Sequence, residues 1–233
     1  MKAILLDIEG TTTPIDFVHQ TLFPFARRRM AKFVEENFSS LTGEIKSLII
    51  EHEKDYAEGF YVKKFDETAS ASIANYLNFL IDKDRKSTAL KSIQGEIWKV
   101  GYEAGELKSE VFADVPRAFE RWREQGKTIA IYSSGSVLAQ KLIFKFSNLG
   151  DLSRFISDYF DTNVGHKREP KSYQIIAEKL NFEANEILFI SDVAEELNAA
   201  EKSGFQTTLS AREGNISVKN IINYKVVSSF DDL

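Results

Sequence analysis

The chain has 233 residues, 43% of them hydrophobic and 28% charged, with a formal net charge of -5. That is enough apolar material for one large core, or a core plus a smaller second unit, and it excludes a disordered chain; the mild acidity leaves no electrostatic footprint for nucleic acid. The absence of cysteine rules out disulfides, thiolate catalysis and Cys-ligated zinc.

In chain order, the first predicted element is a strand over residues 3–6, ending at Asp7. The apolar stretch before Asp7 is too short for a secretion signal, and no stretch approaches the roughly 18 apolar residues of a membrane span. A soluble, cytoplasmic protein with no membrane partner is therefore expected. Residues 16–110 show amphipathic helical patterns and no convincing strand. Phe33, Ile45, Leu48, Ile49, Ile73, Leu77, Leu80, Leu90, Ile97 and Trp98 recur at helical spacing, which predicts a separate helical unit inserted after the first strand. Arg27-Arg28-Arg29, the one basic cluster, reads as a solvated helix face.

Next come a helix over 116–125, stopped by Gly126, and a strand over 128–132 ending at Ser133. Ser136 is placed to cap a helix through Leu138, Leu142 and Ile143. A further helix is expected over 172–180, then a strand over 187–190 ending at Ser191-Asp192, with weaker strand candidates at 206–209 and 225–227. The three main strands are short, bulky and without alternation, as strands buried on both faces of a parallel sheet are. Alternating strands and helices define an α/β fold.

In an open parallel sheet, ligands bind beyond the carboxyl ends of the strands. The three strongest strands end in Asp7, Ser133-Ser134 and Asp192, so all three converge on one crevice. Asp7 and Glu9 are spaced to meet one ligand, one as nucleophile and one for protons; Gly10 lets the backbone turn sharply. The other reading of that pair is two solvated loop carboxylates. Ser133 and Ser134 before a helix N-terminus make an anion cradle, or a plain turn with an N-cap. Lys167, in Gly165-His166-Lys167, can set an ammonium against phosphate and nucleophile, or sit in a basic loop. Asp192 with Asp7 suits a hard, oxygen-ligated cation such as Mg²⁺, or Asp192 caps the next helix, whose early acids Glu195 and Glu196 suit its dipole. The three histidines lack metal-ligand spacing, and none is assigned to a metal.

These segments, in this order, resemble the haloacid dehalogenase superfamily. Asp7-Ile8-Glu9-Gly10-Thr11-Thr12-Thr13-Pro14 more specifically resembles its enolase-phosphatase (acireductone synthase) members, which carry Glu where most of the superfamily's phosphatases carry a second Asp. The likeness extends through Asp84-Arg85-Lys86, Gln94-Gly95, Trp98, Phe112-Ala113-Asp114-Val115, Tyr132-Ser133-Ser134-Gly135-Ser136-Val137, Ala139-Gln140-Lys141-Leu142, Phe160-Asp161-Thr162 and Gly165-His166-Lys167. It departs at Phe146-Ser147-Asn148-Leu149-Gly150-Asp151, where the family usually carries a His-Ser-Thr-Glu-Gly-Asp-like run.

The resemblance implies a Rossmann-like parallel sheet core over 1–15 and 111–233, with an inserted α-helical cap over 16–110 that closes over the substrate. It implies Asp7 as nucleophile and Mg²⁺ ligand, and Glu9 as a further Mg²⁺ ligand active in proton transfer. Ser133, Ser134 and Lys167 would hold the phosphate, Lys167 also acting in catalysis, and Asp192 would complete the metal site. The implied reaction is conversion of 2,3-diketo-5-methylthiopentyl-1-phosphate to an acireductone plus phosphate in methionine salvage, through an aspartyl-phosphate. The expected partner is this small phosphorylated molecule, and a monomer is expected. The alternatives are a general Mg²⁺-dependent metabolite phosphatase of the same superfamily, a non-catalytic phosphometabolite-binding protein, and a helical interaction module.

Overall fold

The apolar run Ala3–Leu6 carries no polar side chain and forms β1, all four residues buried. The structure, a computed structural model, describes residues 1–214 and 224–233. After β1 come four helices: α1 (Phe23–Asn37), α2 (Thr42–Ala57), α3 (Ser70–Asp82) and α4 (Thr88–Glu103). Helices and strands then alternate: α5 (Val115–Glu124), β2 (Thr128–Tyr132), α6 (Val137–Lys145), β3 (Asp158–Phe160), α7 (Pro170–Leu180), β4 (Ile187–Ser191), α8 (Ala194–Lys202), β5 (Gln206–Ser210) and β6 (Val226–Val227).

The chain divides into two units, Met1–Val18 with Leu107–Leu233, and His19–Glu106. The first is built on one six-stranded sheet of order β3-β2-β1-β4-β5-β6, every pairing parallel. β1 lies in the middle. Its Leu6 is in register with Ile131 of β2 on one side and Ile190 of β4 on the other. Ala3 and Leu5 pack with Tyr132, Phe189, and Tyr173 and Ile176 of α7 in one core cluster. By strand alternation Ile4 and Leu6 face the other side, where Phe119 and Trp122 of α5 meet at 6.1 Å and Phe119 meets Phe144 of α6 at 6.0 Å. Burial of each of Ile4, Leu5 and Leu6 contributes on the order of 1.5–3 kcal/mol.

The local signals act as chemistry requires. Ser136 Oγ accepts from Ala139 N at 3.3 Å and starts α6. Gly126, at φ 74, takes the left-handed conformation just past α5. β3 is an element the sequence pattern did not mark: three residues at a sheet edge, Asp158 exposed and only Phe160 buried, leave no apolar run.

Within the helical unit, Trp98 Nε1 donates to Leu22 O at 2.8 Å. Asp55 is buried, and satisfied by Tyr76 OH at 2.8 Å and Arg85 at 2.9 Å. In the basic cluster, Arg27 forks onto Asp82 at 2.7 and 3.0 Å, Arg29 pairs with Glu106, and Arg28 is exposed. Such surface pairs contribute little to stability. Among the described residues, no helix is long and apolar enough to cross a membrane.

Candidate active site

The registers of β1, β2 and β4 set the site. Because Leu6 lies level with Ile131 and Ile190, the next residues of the three strands emerge side by side at the sheet's carboxyl edge. Asp7 N still donates to Ile190 O, at 3.0 Å, so the nucleophile candidate stands on the last rung of the ladder. The chain then turns tightly. The N–H groups of Thr11, Thr12 and Thr13 all point at Ile8 O, at 3.2, 2.9 and 2.9 Å, and Gly10 N donates to Thr13 O at 2.8 Å. Gly10 adopts φ 67, where a side chain would be strained. Asp7 is buried; Glu9 is half-buried and bridges to Thr13.

Lys167 reaches the same point from the loop between β3 and α7. Three hydroxyls pin three consecutive carbonyls of that loop: Tyr132 OH to Gly165 O at 2.9 Å, Ser172 Oγ to His166 O at 2.7 Å, and Tyr173 OH to Lys167 O at 2.6 Å. The Lys167 ammonium then lies 2.6 Å from Asp7 Oδ1 and 2.6 Å from Glu196 Oε2, and 5.8 Å from the centre of the Tyr132 ring. Ser191 Oγ is 3.0 Å from Glu196 Oε2 and 3.4 Å from Asp7 Oδ2. Its single proton serves one of them at a time, and the shorter contact to Glu196 is the stronger bond.

Three carboxylates and one ammonium make this cluster rich in negative charge. Burial alone would lower the Lys167 pKa, yet Asp7 and Glu196 hold it above the ordinary lysine value. Burial and the charge of Asp7 push the Asp192 carboxyl up to about 7, with Lys167 opposing. The Glu196 carboxyl is raised by burial and Asp7, again against Lys167. Pairs of groups with environments this different are what acid–base and charge-stabilising chemistry uses.

Direct contacts thus join Asp7 and Lys167 with Ser191 and Glu196, and Asp192 joins through its field. Ser133 and Ser134 lie just past the end of β2, the strand beside β1. Ser133 N donates to Phe160 O at 3.1 Å, and its Oγ accepts from Gly135 N at 3.2 Å. Gln140 Nε2 donates to Gly135 O and Phe160 O, both at 2.9 Å, and so fixes the shape of the serine loop. Among the described residues, no group of three or more His, Asp or Glu is placed to hold a metal by itself.

Two readings change. Asp192 is not a helix cap: Val193 holds that position of α8 with no side-chain cap. Glu196 does more than favour the helix dipole, being the second carboxylate on Lys167. A signal for it exists in the sequence, since Glu196 falls four residues before the buried Ala200, on α8's inner face.

A buried Asp on the central strand of a parallel sheet, ion-paired to a lysine from a neighbouring loop, defines the class. The family model of the haloacid dehalogenase-like hydrolases matches residues 1–204. The chain is 48% identical to the enolase-phosphatase E1 of Synechococcus elongatus, the match covering 100% of this chain and 98% of that protein. It is 46% identical to the enolase-phosphatase E1 of Drosophila pseudoobscura, covering 100% of this chain and 94% of that one. The crystal structure of the UTR4 protein from Saccharomyces cerevisiae superposes with a TM-score of 0.81 at 34% identity, covering 100% of this chain and 99% of that one. The chain belongs to the haloacid dehalogenase-like hydrolases and, within them, to the enolase-phosphatase E1 family.

Proposed function

We propose that this enzyme converts 2,3-diketo-5-methylthiopentyl-1-phosphate to 1,2-dihydroxy-3-keto-5-methylthiopentene and phosphate, in methionine salvage. The observation that carries the reading is the Lys167 ammonium 2.6 Å from the Asp7 carboxylate, at the carboxyl edge of the sheet, in a chain with enolase-phosphatase relatives.

The α-diketone is first enolised: a proton leaves C1, which bears the phosphate, the C1–C2 double bond forms, and the C2 oxygen takes up a proton. One carboxylate oxygen of Asp7 then attacks phosphorus, the bond to the leaving oxygen breaks, and an aspartyl-phosphate forms; water then cleaves it and frees phosphate. Lys167 offsets charge on the phosphoryl oxygens, where a fixed ammonium in a dry site is most effective. Ser133 and Ser134 supply hydroxyl and backbone donors to the phosphate. Glu9, the half-buried carboxylate two residues beyond Asp7, handles proton transfer. Glu196 keeps Lys167 charged and aimed at Asp7.

The residues fit Mg²⁺, which takes one or two carboxylates together with substrate phosphate and water. The raised Asp192 carboxyl beside Asp7 marks a buried oxygen set short of positive charge. Asp7, Glu9 and Asp192 would hold the ion. When bound, it supplies charge neutralisation at the phosphate and at the enediolate oxygens.

The test is Asp7→Asn, assayed for phosphate release and for enol absorbance on the diketone phosphate. The variant is expected to stay folded by circular dichroism and to lose phosphate release. Release at near wild-type rate would remove Asp7 from the nucleophile's role. A sugar phosphate hydrolysed faster than the diketone phosphate would point instead to a general phosphatase.

A further inference from the structure

The loop from Gly10 to Thr12 is held from outside at every carbonyl. Ser210 Oγ donates to Gly10 O at 3.0 Å, Arg212 Nε to Thr11 O at 3.1 Å, and Phe112 N to Thr12 O at 3.1 Å. Since the N–H groups of residues 10–13 are tied inside the turn, backbone donors and acceptors alike are committed. Of the three outside donors, Arg212 is the one whose presence needs a reason beyond packing.

Arg212 lies two residues past β5 and is only 6% exposed. Its guanidinium sits 4.6 Å from the Phe112 ring centre and 4.3 Å from that of Phe230. Nη1 donates to Asp114 Oδ2 at 2.8 Å and to Ser228 O at 3.0 Å. Asp114 also accepts from Phe230 N at 2.5 Å and Ser229 Oγ at 3.2 Å. Burial alone would raise the Asp114 carboxyl, but these donors hold it below the usual carboxylate range. A buried ion pair adds little stability over apolar side chains of the same volume, because desolvation offsets the attraction. What it adds is direction: a planar guanidinium fixed on one edge by Asp114 can aim Nε at a single oxygen.

We infer that Arg212 is a positioning residue, clamped by Asp114, which fixes the Gly10–Thr12 backbone and thereby the aim of the Asp7 and Glu9 carboxylates. This rests on the reading of Asp7 and Glu9 as the reacting groups. A shift of about 1 Å in a reacting group lowers a rate on the order of a hundredfold, so a loop that directly follows both carboxylates needs such a clamp more than a packed surface turn does.

The experiment compares Arg212→Lys, Ser210→Ala and Asp7→Asn with wild type, by kcat and KM for phosphate release from the diketone phosphate and by urea unfolding. Arg212→Lys keeps a cation against Asp114 and loses the second aimed donor. It should stay folded and lose roughly 10–100-fold in kcat, with KM changed by no more than about threefold. Ser210→Ala, a single hydroxyl, should fold in any case and show a smaller loss in kcat with the same split. A merely structural role would lower stability and leave kcat and KM per folded molecule unchanged; that result in both variants overturns the clamp, and in Ser210→Ala alone does so if Arg212→Lys fails to fold. If Asp7→Asn keeps its turnover, the reading of the site fails and the clamp with it. If Asp7→Asn is inactive and the other two match wild type, the clamp alone is wrong.

Discussion

Lys167→Met tests the cluster most severely, because it keeps an unbranched stem one atom shorter and removes the ammonium, charge and donors together. Two carboxylate oxygens lie 2.6 Å from the ammonium. At an effective dielectric of 20, each pair represents about 6 kcal/mol of gross attraction, much of it offset by desolvation. Breaking a buried pair from one side leaves the other charges uncompensated and costs roughly 3–5 kcal/mol of stability. The loss depends on pH with a definite sign. Glu196 and Asp192 already have raised pKa values, Asp192 near 7, and losing Lys167 raises both further. A carboxyl raised in the folded state weakens the fold above its unfolded value, and protonation relieves it. The deficit should therefore be full only well above pH 7, beyond the further-raised Asp192 value, and shrink as the pH falls through it. Urea unfolding followed by fluorescence of the buried Trp122 measures it, and turnover should fall by about 10²–10³. A variant within about 1 kcal/mol of wild type at pH 8, on the scale of an ordinary surface substitution, and with undiminished kcat would refute the reasoning.

Glu196→Gln should be milder. Lys167 keeps Asp7, so stability should move by no more than about 1 kcal/mol while kcat falls through the loosened ammonium; unchanged kcat would confine Glu196 to packing. Chelation by EDTA should stop turnover and added Mg²⁺ restore it, with Mg²⁺ binding weaker below about pH 7, where protons compete for Asp192. Calorimetric titrations giving one affinity at pH 6 and pH 8 would contradict this. Gly165→Ala places a Cβ 2.3 Å from Ser172 Oγ at φ 132, a strain of about 1–3 kcal/mol that displaces the Lys167 loop. Thermal unfolding and turnover should both fall, and a variant that melts and turns over like wild type would show the loop to be more pliant than its hydrogen bonds imply.

The sheet was legible because strands covered on both faces carry few polar side chains: 3–6, 128–132 (apolar at its centre, 129–131) and 187–190 stand out as short apolar runs. Their ends then point to Asp7, Ser133 and Asp192 without further knowledge. β3 was not legible, because an edge strand of three residues needs no such run. Glu196 was visible only as one of two acids at a helix start. Which of them turns inward is a matter of helix phase, set by Leu197, Ala199 and Ala200 beneath it. Arg212 and Asp114 are 98 residues apart, and their pairing depends on where β5 and the start of α5 meet, which no local pattern encodes.

The pairing of β1 on both flanks has a consequence for what can change in this protein. Its four apolar residues are nearly interchangeable as filling, but their number is not free. Deleting one of them would let the strand slide along β2 and β4 with its greasy character intact, yet bring Ile8 to face the ammonium in place of Asp7. Counting, rather than hydrophobicity, is what evolution must guard in this strand.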